Sequence, residues 1–352
     1  MTRYADHLPG RTVTLDGEEF LCFSGTSYLG MARNPAFLDL LREGMNRYGA
    51  NYSSSRGGNL QLSVYDEAEV YLASCTGAPA ALTVSSGMLA GQLVMKTLPE
   101  KAQFLYGPRT HPALWRTPAD HYESPWQAWA DRLPQQIEQI AAQQVIILTN
   151  ALDPLQAESF HFDWVAKIPE GKQIMLIVDD SHGLGVTGRD GGGIYGRLAA
   201  FPNVQVVVVS SLGKALSLPG GAVLADASLI SEIRKQASFG GASPVPPAYL
   251  YAFLQAGPLY EESRKRLLTN IQQFSHEVGQ FGLFRHIPHF PVFYTQAMGL
   301  DDFLRERKMM ISCFPYPTPD SDHITRVILS SLHEPGDITH LAQQLAVFRK
   351  NH

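Results

Sequence analysis

Two short apolar runs, Ile174–Val178 and Val204–Val209, constrain this chain most. Each is rich in branched residues, and each runs straight into polar chemistry. The first ends in Asp179-Asp180-Ser181-His182-Gly183, the second in Ser210-Ser211-Leu212-Gly213-Lys214-Ala215. Runs of this length and composition read as strands buried on both faces, the pattern of a parallel sheet. In an open α/β sheet, ligands bind at the C-terminal edge of the strands. One strand therefore carries an acid and a histidine to that edge, and the other a lysine.

The rest of the chain fits that frame. Thr12–Leu15, Asp16-Gly17 and Glu18–Phe23 read as a hairpin with a two-residue turn. Helical spacing marks Phe37–Tyr48, Val64–Ser74 (stopped near Gly77), Met88–Thr97, Pro134–Gln143 and Leu229–Gln236. Ala80–Val84, Val145–Leu148 and Gly221–Ala225 read as further strands. This alternation predicts a mostly parallel sheet covered on both faces. After about residue 250 the pattern changes to a long helix, Ala248–Phe281, strands near Pro291–Thr295 and Arg326–Ser330, and a last helix, Asp337–Phe348. The expected organisation is a hairpin segment, 1–35, packing on a small C-terminal α+β domain, 248–352, with a large domain, 36–247, between them in sequence.

Composition narrows the function. The 352 residues carry a net charge of −5, so no basic stripe is available for nucleic acid. Cys22, Cys75 and Cys313 lie far apart with no metal-ligand spacing, as expected of reduced thiols and no metal site. There is no secretory leader pattern and no apolar run of membrane-spanning length, so a soluble cytoplasmic protein is expected.

A lysine, an acid and a histidine at one sheet edge are what pyridoxal 5′-phosphate (PLP) requires. Lys214 would hold the aldehyde as a Schiff base, and the Asp179 carboxylate would pair with the pyridinium nitrogen. His182 is placed to reach the phenolic oxygen. Ser85-Ser86-Gly87-Met88, between a strand and a helix, supplies the N–H groups and helix dipole that a phosphate needs. Ser210 and Ser211 can add hydroxyls. His111, after Tyr106-Gly107-Pro108-Arg109-Thr110, can stack on the ring. Arg326, a single charge inside an apolar strand, suits a substrate carboxylate.

With these residues in place, the chain resembles the fold-type-I PLP enzymes, and within them the α-oxoamine synthases. The resemblance begins at Phe23-Ser24-Gly25-Thr26-Ser27-Tyr28-Leu29-Gly30, similar to the family's SNNYLG. It continues through Tyr48-Gly49, Ser53-Ser54-Ser55-Arg56 and Ser85-Ser86-Gly87. Val178–Gly183 is close to VDEAHG, Ser211–Ala215 to TLSKA, and Arg326–His333 to RISLSASH. It implies an aspartate-aminotransferase-like fold, with Lys214, Asp179, His182 and His111 in the roles given above. Ser86, Gly87, Met88 and Ser211 would hold the phosphate, and Arg326 the substrate carboxylate. Phe239–Pro247 resembles the segment before the family's double proline, where Ser243 would reach the phosphate of a second subunit, so a homodimer is implied.

The match has departures, read as a PLP core that is kept and an acyl-CoA side that has drifted. Asn150 stands where the family usually has Glu, Tyr65 where many members have His, and Ser181 where they have Ala. Gly91 replaces a common Asn, no aromatic follows Gly87, and the family's HND segment is broken near His121-Tyr122-Glu123. No N-terminal helix is expected before the hairpin. The implied activity is condensation of an amino acid with an acyl thioester such as an acyl-CoA. An aminotransferase on the same scaffold is the alternative, and a non-catalytic PLP-fold binding protein a remoter one.

Overall fold

The computed structural model describes residues 4–316, 318 and 320–351, the last of these in its backbone alone. The chain divides into two compact units. One comprises Pro35–Leu152 and Ser159–Gly257; the other comprises the residues up to Asn34, Asp153–Glu158, and those from Pro258 onward.

The larger unit is built on a six-stranded sheet. Its strand order is Ala80–Val84, Gly221–Ala225, Gln205–Ser211, Gln173–Asp179, Gln144–Asn150 and Gln103–Tyr106. The last four are mutually parallel, and Gly221–Ala225 runs antiparallel to both its neighbours. The mostly parallel sheet expected from the apolar runs is thus present, with one reversed strand. Helix Gly87–Thr97 buries Ala90, Leu93 and Val94 against Val207, Val209 and Val223. Each fully buried Leu or Val contributes on the order of 1.5–3 kcal/mol by leaving water.

Several element boundaries differ from the sequence pattern, for local reasons. The helix read as Pro134–Gln143 spans Trp126–Gln139, with Pro134 inside it. Buried Trp126, Ala130, Leu133 and Ile137 set its inward face, and their four-three-four spacing outweighs the missing proline N–H. The long helix read as Ala248–Phe281 is two, Pro247–Gln255 and Gly257–Val278, broken at Ala256. The first belongs to the larger unit, because Gly44 of helix Pro35–Tyr48 lies flat against it. A Cβ on Gly44 would come within 2.6 Å of the Ala248 carbonyl oxygen. The larger unit therefore closes at Gly257 rather than at 247.

The second unit carries its own six-stranded sheet, in the order Thr12–Leu15, Glu18–Phe23, Met309–Pro315, His323–Ile328, Val292–Thr295 and Arg285–His286. The hairpin turns on Asp16 and Gly17, both at positive φ, as a two-residue type I′ turn demands. Strand Met309–Pro315, which the apolar pattern does not reveal, runs parallel to Glu18–Phe23 and joins the hairpin to the sheet. The strand expected at Arg326–Ser330 is His323–Ile328, so Arg326 lies in its middle rather than at its start.

His333 fastens this unit. Its ring stacks on Phe23 with centroids 4.4 Å apart. Its Nδ1 accepts the Ser330 N–H at 3.0 Å, and its Nε2 lies 3.0 Å from the Cys22 carbonyl oxygen, which needs a donor. Both nitrogens are used by the neutral ring protonated at Nε2. A second proton would set Nδ1–H against the Ser330 N–H. Burial therefore pushes the His333 pKa down from 6.5 to about 4. Below pH 6.5 the unfolded chain takes up a proton that the folded chain refuses. Stability from this residue is complete above that pH and falls as the pH drops toward 4, by about 3 kcal/mol in all. We predict that denaturant melts of the native protein show this acid slope and that His333→Gln flattens it. An unchanged slope in the variant would contradict the assignment.

Candidate active site

The site in the larger unit is assembled by strand ends. Gln173–Asp179 pairs in parallel with Gln205–Ser211, Asp179 opposite Val209, so both chains leave the sheet at the same edge. Asp179 is buried, and its Oδ1 accepts the Ser181 N–H at 2.9 Å. The Ser181 Oγ in turn accepts the Ser211 N–H at 2.8 Å, and the Ser211 Oγ accepts the Gly213 N–H at 3.3 Å. A run of hydrogen bonds thus links the Asp179 carboxylate to the residue before Lys214. Ser181, a departure from the family pattern, supplies its middle step.

Lys214 sits half-buried in a closed loop. The Leu212 N–H meets the Gly220 carbonyl, the Leu218 N–H meets that of Leu212, and Ser217 adopts φ +57° with its N–H on the Lys214 carbonyl. Loss of water pushes the Lys214 ammonium below its ordinary range, against the opposing pull of Asp179 and Asp180. An amine that gives up its proton readily is what attack on an aldehyde requires.

Asp180 is fully enclosed. Its Oδ2 accepts the Ile194 N–H at 2.7 Å, and among the described residues its Oδ1 has no hydrogen-bond partner. Gly183 and Gly193 leave room for it, since a Cβ on either would come within 2.1 and 2.2 Å of its oxygens. Burial first, with the neighbouring Asp179 adding to it, pushes this carboxyl up to about 7. His182 stands half-buried three residues after Asp179.

The turn before helix Gly87–Thr97 is packed tightly. A Cβ on Gly221 would lie 2.3 Å from the Ser86 carbonyl, and one on Gly87 would lie 2.9 Å from the Ser211 Cα. These two glycines bring the start of helix Gly87–Thr97 against the strand that leads to Lys214. The Ser86 Oγ caps the helix by accepting the Leu89 N–H at 3.1 Å. The first-turn N–H groups at Gly87 and Met88 have no carbonyl within the helix to meet, an arrangement that suits an anion. The Met88 side chain is exposed, so its contribution is its backbone. The expected Ser210 hydroxyl is not available to a phosphate: it is buried and donates to the Asp180 carbonyl at 3.4 Å.

His111 opens the short 3-10 turn Pro112–Leu114. Its Nδ1 accepts the Ala113 N–H at 3.2 Å and lies 3.4 Å from Asp179 Oδ2. Gly91 admits this turn, because a Cβ there would meet the Ala113 carbonyl oxygen at 2.5 Å. Ser243 is exposed on the rim of a small cavity shared with Arg56, Thr83, Ser85 and Leu89 of its own chain. Tyr65 holds the segment after Ser243: its hydroxyl donates to the Val245 carbonyl at 2.8 Å, and the Arg56 guanidinium lies 4.3 Å from its ring centroid. The Arg56 fork grips Glu69, with Nη1–Oε1 2.9 Å and Nη2–Oε2 3.3 Å.

Arg326 belongs to the second unit and is buried there. Its Nη1 donates to the Pro154 carbonyl at 2.8 Å, its guanidinium lies 5.3 Å from the Phe314 ring, and its Nε has no partner among the described residues. Burial weakens its hold on its proton, with Tyr28 and Asp153 opposing. A buried fork with a donor left over suits an anionic ligand.

The Asp179–Lys214 edge, the glycine-bordered helix start and the depressed lysine fit a phosphorylated aldehyde. Comparisons with known proteins agree. The family model for aminotransferase class I and II matches residues 48–345, and the chain belongs to that family. The 8-amino-7-oxononanoate synthase of Nitrosomonas eutropha is 27% identical over 350 residues, covering 95% of this chain and 90% of that protein. Its counterpart in Serratia proteamaculans is 28% identical over 351 residues, covering 96% and 91%. Among solved structures, serine palmitoyltransferase from S. paucimobilis, with bound PLP and myriocin, superposes with TM-score 0.83 at 15% identity over 98% of this chain and 92% of that one. The 8-amino-7-oxononanoate synthase of Francisella tularensis gives TM-score 0.71 at 22% identity, over 94% and 98%. The resemblance to the α-oxoamine synthases and the aspartate-aminotransferase-like fold read from the sequence both hold. Among the described residues, no helix is long and apolar enough to cross a membrane.

Sequence reasoning missed three contributors: Asp180, given no role there, and Ser181 and Asn150, noted only as departures. The available signal was position, since all three lie at the last residues of the adjacent parallel strands Gln144–Asn150 and Gln173–Asp179 or just beyond.

Proposed function

We propose that this chain is a PLP-dependent acyltransferase of the α-oxoamine synthase type, joining an amino acid to an acyl thioester. The observation that carries this reading is a half-buried lysine, its proton affinity lowered by loss of water, on one sheet edge with a buried carboxylate and a glycine-packed helix start. Lys214 supplies the amine for the aldehyde. Gly87, Met88, Ser86 and Ser211 surround the phosphate, His111 covers the ring and His182 serves its phenolic oxygen. Bound there, the cofactor supplies an electron sink for charge developing at an amino acid's α-carbon. Asp179 keeps a proton on the ring nitrogen, without which that sink fails. Lys214, once free, is the base that takes the α-proton. The new bond joins the amino acid's α-carbon to the thioester carbonyl carbon, and the thiol leaves. Arg326 clamps the substrate carboxylate, and Ser243 serves the partner copy of a homodimer.

The family model favours a second reading, an aminotransferase, in which no thioester takes part. It is distinguished by whether an amino acid alone, without a thioester, converts the cofactor to its pyridoxamine form.

Three outcomes test the assignment. Borohydride treatment of the cofactor-loaded protein should fix PLP to the peptide carrying Lys214, and Lys214→Ala should abolish the label; a label mapping elsewhere would refute it. Asp179→Asn should keep PLP bound yet lose at least ~100-fold in turnover, about 3 kcal/mol of transition-state stabilisation. Native turnover in that variant would remove Asp179 from the chemistry. Arg326→Lys keeps the charge but not the fork, and should weaken amino-acid binding by about 1.5–3 kcal/mol while PLP occupancy stays unchanged. Equal binding of an amino acid and its decarboxylated amine by the native protein would dismiss the clamp.

A further inference from the structure

We propose that Asn150 is a positioning residue: its side-chain amide holds the Arg109–His111 turn and so fixes the His111 imidazole beside Asp179. Asn150 ends strand Gln144–Asn150, directly opposite Asp179 in the parallel pairing. Its Oδ1 accepts the His111 N–H at 3.0 Å, and its Nδ2 donates to the Arg109 carbonyl at 2.8 Å. The two partners fix which way the amide faces, because an N–H needs an acceptor and a carbonyl a donor.

The turn needs such a brace. Arg109 has φ +54°, a conformation that side-chain-bearing residues adopt at a cost. The other backbone groups of the turn are already served. The Arg109 N–H goes to the Tyr122 carbonyl at 3.1 Å, and the Thr110 N–H to that of Gly107 at 3.3 Å. The Thr110 carbonyl accepts Trp115 Nε1–H at 2.7 Å, and the His111 carbonyl accepts the Leu114 N–H at 2.9 Å. Asn150 serves the two that remain. On the far side, Gln92 Nε2 donates to the Ala113 carbonyl at 2.9 Å, so the His111–Leu114 turn is braced from both flanks. A carboxylate in place of Asn150 could accept from His111 but would face the Arg109 carbonyl with lone pairs. Only an amide, or a protonated acid, satisfies both.

The importance of this brace for turnover rests on the PLP reading above; the brace itself does not, so the two are tested separately. In cofactor-free protein, the rate at which diethyl pyrocarbonate modifies His111 is followed by peptide mass spectrometry. Asn150→Ala should raise that rate up to about tenfold, the scale of one to two lost hydrogen bonds. Asn150→Asp should match the alanine variant when ionised. As the pH falls and its carboxyl gains a proton, its rate relative to native protein should return toward one. This near-isosteric variant keeps the test open if the alanine variant folds poorly. In the loaded enzyme, Asn150→Ala should cost on the order of 100-fold in turnover, as misplaced groups do, but less than about threefold once His111→Ala is present. Unchanged His111 reactivity in both variants, or losses that multiply in the double variant, would overturn the proposal. A native protein showing no amino-acid chemistry would defeat the PLP reading and leave the reactivity arm to decide on Asn150 alone.

Discussion

The parallel pairing of Gln173–Asp179 with Gln205–Ser211 is the interaction on which the rest of the site depends. Parallel strands end at a common edge, so residues some thirty positions apart in sequence arrive together without any long-range ion pair to draw them in. The register places Asp179 opposite Val209, and the Ser181–Ser211 hydrogen bond continues the alignment beyond the sheet. A one-residue slip would move every side chain of the strand to the opposite face of the sheet and take the carboxylate off its place at the edge. The apolar runs that bury these strands on both faces therefore also fix the site's geometry.

That burial sets the electrostatics. Two carboxyls and a lysine share a region with little water, where each charge is costly unless a neighbour answers it. The structure distributes the cost unevenly. Asp179 is answered by the Ser181 N–H, Asp180 gives up its proton only at about pH 7, and burial weakens the hold of Lys214 on its proton. Divergent proton affinities at one edge are the usual mark of a site built for proton transfer. The glycines at 87, 221, 183 and 193 make the arrangement possible, because a methyl group at any of them would occupy space now filled by Ser211, Ser86 or Asp180.

Much of this was legible before the fold was known, since it rests on local signals. Strands Ala80–Val84 and Gly221–Ala225 coincide with their apolar runs, and the hairpin turn with Asp16-Gly17. Lys214, Asp179 and the Ser86–Gly87 turn were readable because strand ends in a parallel sheet have a known use. What was not legible depended on tertiary contacts. Met309–Pro315 is a strand because it pairs with Glu18–Phe23, nearly three hundred residues away, and its own sequence shows no alternation. Trp126–Gln139 tolerates Pro134 because its inward face is buried on either side of the proline. Asn150 is visible in sequence only as a departure from the family's Glu, because its two partners come from the Arg109–His111 turn some forty residues away.

The central claim is that this edge directs an amino acid's α-carbon onto a thioester. The most direct test is an absorbance titration of the purified, cofactor-loaded protein with a panel of amino acids, with and without acyl-CoAs. The account predicts that an amino acid alone perturbs the cofactor band reversibly, and that thiol release and turnover appear only when an acyl-CoA is added. Conversion of the cofactor to its pyridoxamine form by an amino acid alone, with no response to any thioester, would contradict it.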